Sequence, residues 1–289
     1  MIINTEPLHP TFGVIANNVN LEDVTKSYLY PEIRELFENH SAILFTEQTF
    51  PEQTHIDIAN LFGPLENRDQ QATKSEVKFK LSKVSNQSED GLVYGEFDME
   101  TLDLKGNMLW HTDSTFLPTP ALANLIAAKV VPSSGGQTEL VSTRATLQDL
   151  PKNLFNMINK KKLWHSLTHS RKKIHPDLAA KDHIKRWEPQ KWNSILRNPF
   201  NQKDSIYIAS HAFKIDGMTE ADSKKILEEI IEFCTQDKYV YSHNWKVGDV
   251  MIWDERAILH RGRPWPYSEP RTLASICVSM TEKDGLALM

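Results

Sequence analysis

The sequence predicts a mainly β protein decorated by helices, and two observations carry that reading. After Trp110 the chain breaks into short β-like runs: Leu122–Val131, Thr138–Val141, Leu163–Leu167, Ser194–Arg197, Ile206–Ser210, Tyr239–Trp245, Val250–Trp253, Ile258–His260 and Thr272–Val278. Runs this short, punctuated by Gly, Pro and Asn, point to a sandwich or barrel. Helical periodicity, by contrast, is confined to a few stretches. At 289 residues, with 40% hydrophobic and 25% charged composition, the chain can bury a substantial core. One domain over 1–289 is expected, because barrels and sandwiches of this order commonly form a single unit.

Taken in order, the N-terminal segment is mixed and yields no clear element. Pro31 to His40 predicts a short helix, with Ile33, Leu36 and Phe37 on one face, and Ala42 to Phe45 a strand. Pro51 opens a second helix whose period runs through Ile56, Ala59 and Phe62 and stops at Gly63-Pro64. From Arg68 to Lys80 the sequence is polar and loop-like, with a strand expected near Leu81–Val84. Two further helices interrupt the β-like half. One is expected over Thr143 to Lys161, with Leu147, Leu150, Leu154, Met157 and Ile158 inward. The other is expected over Thr219 to Thr235, capped by Thr219 with Asp222 and buried along Ile226, Leu227, Ile230, Ile231 and Cys234. The stretch His169 to Trp192 is rich in charge and lacks a period, which marks it as a candidate lid.

Composition removes several function classes. The net charge is −5 and no long basic stripe occurs, so no nucleic-acid footprint is expected. The apolar stretch Ala121 to Val131 contains Asn124 and Lys129 and is too short for a membrane span. Cys234 and Cys277 are the only cysteines, which fits a reducing compartment rather than a disulfide framework. Met1 to Pro10 has neither a basic nor an apolar signal region, so a cytoplasmic protein is expected.

The chemistry starts from His-x-Asp, which occurs three times: His55/Asp57, His111/Asp113 and His175/Asp177. His55 and Asp57 fall in a predicted helix, where residues two apart diverge. His175-Pro176-Asp177 lies in the polar lid-like stretch and reads as a turn. His111 and Asp113 follow Leu109-Trp110; in an extended chain, residues i and i+2 face the same way, so imidazole and carboxylate can reach one ion. A third ligand is available in His260, at the end of a β-like run. Two His and one carboxylate form the open facial triad of non-haem iron(II) oxygenases. Three vacant positions can take a bidentate 2-oxo acid and then O2. Arg271, 11 residues beyond His260, offers a guanidinium for the co-substrate's distal carboxylate, and Thr138 a hydroxyl.

These residues resemble the taurine dioxygenase and phenoxyacetate dioxygenase family of iron(II)/2-oxoglutarate enzymes. The resemblance is carried by Asn107 to Asp113, Pro132 to Glu139, Trp245 to Asp249, Trp253-Asp254 through His260-Arg261-Gly262, and Arg271. It implies a double-stranded β-helix (jelly-roll) core flanked by helices. It implies iron(II) on His111, Asp113 and His260, with Thr138 and Arg271 on 2-oxoglutarate. The implied reaction is oxidation of a small-molecule substrate by O2, with decarboxylation of 2-oxoglutarate to succinate and CO2. A homo-oligomer is implied as well. For the substrate pocket it points to Tyr94, Phe97, Asn107, Phe116, Arg197 and His211. Many relatives carry a second arginine four residues after the 2-oxoglutarate arginine; here that position is Ser275, facing the pocket without charge. Use of the same triad for desaturation or ring formation stays open. A non-catalytic jelly-roll binding protein should have lost some member of the set His111, Asp113, His260, Thr138 and Arg271, and a zinc hydrolase would leave Thr138 and Arg271 without a purpose.

Overall fold

A computed structural model describes residues 3–25, 28–67 and 81–289, so the polar stretch 68–80 lies outside the described residues. Fifteen strands are described. The first eight are β1 (Asn4–His9), β2 (Phe12–Asn17), β3 (Ala42–Phe45), β4 (Ser82–Ser85), β5 (Ala121–Val130), β6 (Thr138–Ser142), β7 (Lys162–His165) and β8 (Gln190–Asn193). The others are β9 (Ile195–Arg197), β10 (Asp204–Ile206), β11 (Ala212–Ile215), β12 (Val240–His243), β13 (Val250–Asp254), β14 (Ile258–Gly262) and β15 (Thr272–Ser279). Seven of them form one sheet in the order β1-β2-β3-β13-β5-β15-β4, parallel only between β2 and β3. A second, three-stranded antiparallel sheet has the order β12-β6-β14. A further sheet, β11-β7-β8, and the β9–β10 hairpin lie outside these two.

Period-two alternation explains how the layers stack. On β3, Ile43 and Phe45 join one buried cluster while Ala42 and Leu44 join another. On β13, Val250 and Ile252 go with the first cluster, and Met251 and Trp253 with the second. The first cluster includes Ile33 and Phe37 of the helix Tyr30–His40 and Ile58 and Phe62 of the helix Glu52–Phe62, so these helices cover one face of the large sheet. The second cluster includes Leu140 of β6 and Ile258 of β14, so the small sheet covers the other face. Val141 and Leu259 point away into a third cluster with Leu227 and Ile230 of the helix Glu220–Cys234. A sheet buried on both faces reads as near-continuous apolar sequence, as Ala121–Val130 does. Parity then fixes the interior between the sheets: residues in step with Ile126, Leu140, Ile258 and Leu273 point into it.

Most expected elements are present, with physical reasons for the departures. The expected helix over Thr143 to Lys161 is two helices, Thr143–Asp149 and Lys152–Ile158. Leu150 precedes Pro151 and is extended at φ −60°, ψ 127°, because a following proline disfavours the helical region. Met157, expected inward, is exposed, whereas Leu154 and Ile158 are buried. Of the β-like run Ile206–Ser210 only Ile206 is in a strand, Asp204–Ile206, and the run Tyr239–Trp245 shrinks to Val240–His243. The β1–β2 hairpin was not legible: β1 is a largely exposed edge carrying Pro7, which an edge strand tolerates. The lid-like stretch folds as the end of the helix Leu167–Lys172, the short helices Pro176–Ala180 and Asp182–Lys185, and β8.

Two of the buried histidines outside the metal-ligand candidates contribute to the pH response of the fold. His55 donates to Leu125 O through Nε2, and burial lowers its pKa to about 4. His165 is fully buried with neither ring nitrogen hydrogen-bonded, and burial lowers it to about 3. Because their folded pKa values are depressed, the unfolded chain binds more protons below pH 6.5. Stability is therefore fully present above pH 6.5 and lost as pH falls toward 4. We expect His165→Phe to reduce the loss of unfolding free energy between pH 7 and pH 5 by about 2 kcal/mol. Denaturant titrations at the two pH values check this; an unchanged pH difference would contradict it.

Candidate metal centre

The short 3-10 turn Gly106–Met108 delivers the chain to His111, which forms an isolated bridge with His260 on β14. His111 N–H donates to His260 O at 2.9 Å and His260 N–H to His111 O at 2.8 Å. His111 Nδ1 donates to Leu109 O at 2.7 Å, which leaves Nε2 as the lone-pair nitrogen. Thr112 turns the opposite way, its hydroxyl donating to Ile258 O at 2.8 Å, so Asp113 returns to the face of His111. His260 shares parity with Ile258 and thus points into the space between the sheets. His111 Nε2 lies 3.6 Å from Asp113 Oδ1, and His260 Nε2 lies 3.8 Å from Asp113 Oδ2. One donor atom from each of the three residues fits within 4.8 Å of the others.

Burial lowers the pKa of both imidazoles, that of His260 to about 3, so each is neutral and a competent donor at neutral pH. The other two His-x-Asp pairs do not converge this way. His55 is spent on Leu125 O, and His175 caps the helix Pro176–Ala180 by accepting from Asp177 N.

A ring of residues, of which the sequence reading singled out only Ser275, supports this group. Asn124 of β5 donates through Nδ2 to Asp113 Oδ2 at 2.8 Å, and Ser275 of β15 donates to Asn124 Oδ1 at 2.7 Å. Cys277 Sγ lies 3.6 Å from Asp113 Oδ2. Glu255 is fully buried; it accepts from Trp253 Nε1 at 2.6 Å and from Asp113 N at 2.8 Å. Burial, reinforced by Asp113, pushes the Glu255 carboxyl well above the usual carboxylate range. The available signal was polarity out of place: Asn124 interrupts the apolar run of β5 in step with Ile126, and Cys277 is in step with Leu273.

A buried cation precedes β15. Arg271 is 3% exposed and no carboxylate pairs with it among the described residues. Its Nε donates to Gly136 O at 3.0 Å, and the guanidinium lies 5.1 Å from the Trp265 ring centre. Burial pulls its pKa down to about 10, so it stays charged at neutral pH. The Gly135-Gly136 turn makes the approach possible: both have φ near +70°, and a Cβ at 135 would meet Pro264 O at 2.4 Å. The turn leads into Thr138, which accepts from Trp245 Nε1 at 2.8 Å and keeps its own hydroxyl proton to donate.

The expected pocket residues divide. His211 is buried against the centre, its ring 6.3 Å from that of His111 and its Nδ1 3.0 Å from Thr115 Oγ1; Phe116 packs on it at 5.1 Å. Burial, then His111, holds the His211 pKa well below its ordinary value. Asn107 sits half-buried in the turn before His111, opposite Gly262 of β14. Ser275 points inward as expected, but to Asn124. Tyr94 is half-buried, with its N–H on Asn86 O. Phe97 is 80% exposed and does not reach the centre. Arg197 is a correction: it is an exposed hairpin residue, paired through Nε and Nη2 with Asp204 at 2.8 and 3.0 Å, so the β9–β10 register consumes its charge.

An open group of two neutral histidines and one carboxylate, set between two sheets, fits the mononuclear non-haem metal oxygenase class. Comparison with known proteins agrees. Residues 4–277 match the model of the taurine catabolism dioxygenase TauD, TfdA family, and the chain belongs to that family. It is an iron(II)- and 2-oxoglutarate-dependent dioxygenase that uses O2. It is 31% identical over 276 residues to the alpha-ketoglutarate-dependent 2,4-dichlorophenoxyacetate dioxygenase of Cupriavidus pinatubonensis, covering 94% of this chain and 96% of that protein. It is also 31% identical to the (S)-phenoxypropionate/alpha-ketoglutarate-dioxygenase of Sphingobium herbicidovorans, covering 92% of this chain and 91% of that protein. Among solved structures, AAD-2 in complex with Mn(II) and N-oxalylglycine superposes with a TM-score of 0.86 at 27% identity, over 97% of this chain and 99% of that one. No described helix is long and apolar enough to cross a membrane.

Proposed function

We propose that His111, Asp113 and His260 hold the iron(II), that Thr138 and Arg271 hold the distal carboxylate of 2-oxoglutarate, and that a small organic molecule is hydroxylated beside them. One arrangement carries this reading: His111, Asp113 and His260 converge as a neutral group, and the Arg271 guanidinium is buried with no carboxylate beside it among the described residues. Iron(II), when bound, would activate O2, one oxygen atom going to succinate as 2-oxoglutarate loses CO2 and the other to the substrate. The chain's own part is placement. Leu109 O fixes the tautomer of His111, the His111–His260 bridge sets the spacing of the two rings, and Arg271 and Thr138 orient the co-substrate. Phe116 and Leu117, packed under Ile184 and Trp187, exclude water, which supports a covering role for the 169–192 segment.

The two facing sheets support a double-stranded β-helix (jelly-roll) core within a single domain over 1–289. The absence of a crossing helix among the described residues fits a cytoplasmic protein, and exposed Leu92 and Phe97 support a homo-oligomer. At position 275 the chain offers a hydroxyl where many relatives offer a guanidinium, and Arg197 is held at the surface by Asp204. Small anions are therefore not gripped in the manner those relatives use. In a turnover screen read by succinate release, taurine and phenoxyacetate should be outperformed by neutral analogues of similar size. Equal or better turnover of the anions would contradict this.

A further inference from the structure

We infer that Ser275 and Asn124 are positioning residues for the metal, forming a relay that fixes the orientation of the Asp113 carboxylate. The inference rests on the ligand roles proposed above. On the antiparallel β5–β15 pair, Asn124 stands opposite Cys277 and Ser275 opposite Ile126, so Ser275 is the diagonal neighbour of Asn124 on the interior face. All the donors in the relay point one way: the Ser275 hydroxyl gives to Asn124 Oδ1 at 2.7 Å, and Asn124 Nδ2 gives to Asp113 Oδ2 at 2.8 Å. An amide carbonyl only accepts and a carboxylate only accepts, so this sense is the sole one in which both bonds form. Aligned bonds of this kind polarise each other in a low-dielectric interior.

The relay sets what Asp113 presents. With Oδ2 tethered to the large sheet, Oδ1 faces His111 Nε2 at 3.6 Å. Ser275 and Asn124 are 4% and 5% exposed, so water cannot replace either bond. Without the Ser275 hydroxyl, the buried amide oxygen of Asn124 loses its donor, and the amide is released to rotate away from Asp113. The position that the resemblance assigns to the substrate is thus given over to the ion's carboxylate ligand. Neither residue touches the metal; both act through Asp113.

An anaerobic Mn(II) titration, reading the free ion by electron paramagnetic resonance, tests this without co-substrate or turnover. Ser275→Ala should weaken Mn(II) about tenfold and Asn124→Ala up to about a hundredfold, the range for residues behind a ligand. Ser275→Thr, which keeps the hydroxyl, should restore wild-type affinity. A merely structural role would move only the melting temperature of the metal-free protein. Wild-type affinity in Ser275→Ala or in Asn124→Ala would overturn the relay, as would a Ser275→Thr protein no better than Ser275→Ala. A wild-type protein that binds no Mn(II) would overturn the ligand assignment itself, and the relay with it.

Discussion

His111→Ala is expected to eliminate iron(II) binding and turnover while the protein stays folded. The two backbone hydrogen bonds between residues 111 and 260 do not depend on the imidazole, so the bridge that brings the β14 end to the motif survives. The side-chain bond that is lost runs only to Leu109 O. What remains at the centre is one imidazole and one carboxylate, too few to hold a divalent ion against water. The loss should exceed the tenfold to hundredfold effects typical of residues that merely support a ligand. Circular dichroism and iron quantification after desalting check the two halves separately. A folded variant that retains stoichiometric iron and turnover would rule out His111 as a ligand.

Arg271→Ala is expected to act on the co-substrate. A guanidinium gives a carboxylate two parallel hydrogen bonds along with its charge. Truncating one member of such a buried pair costs about 2–5 kcal/mol, which is roughly 30-fold to several thousand-fold in affinity. The KM for 2-oxoglutarate should rise by that order, and Arg271→Lys should recover only part of it, since an ammonium keeps the charge but not the fork. Iron binding should be unaffected, because Arg271 lies outside the His111, Asp113 and His260 group. The metal-free protein should lose little stability, since the cation is buried with no carboxylate beside it among the described residues. An unchanged KM would assign the distal carboxylate to a different cation.

Much of this was legible in the sequence, and for a physical reason. Strands with alternating or continuous apolar character and helices with caps are local patterns. Hence Ala42–Phe45, the helix ending at Gly63 and the helix opened by Thr219 fall where the residues indicate. The His/Asp/His group was readable because function demands fixed residue types in a fixed order. Partners fixed only by register were not readable. Asn124 and Ser275 meet across β5–β15, 151 residues apart in sequence, and Glu255 reaches Asp113 N across 142. The same holds for the buried ion-pair network of Glu38, Arg144, Asp254 and Arg256, whose members come from three places in the chain. There burial raises the Asp254 carboxyl pKa, but Arg256 and Arg144 more than reverse it and hold it below the usual range. Arg197 shows the opposite error: a residue type suited to a pocket is used by a short surface hairpin, because its register partner is Asp204.

The most direct test of the central claim is an anaerobic titration of the metal-free protein with iron(II) and then 2-oxoglutarate, followed by visible absorption. The proposed roles of His111, Asp113 and His260 together with Arg271 and Thr138 predict a metal-to-ligand charge-transfer band that requires both additions and is lost in His111→Ala. Iron bound at one equivalent, with no band at saturating 2-oxoglutarate, would contradict the account.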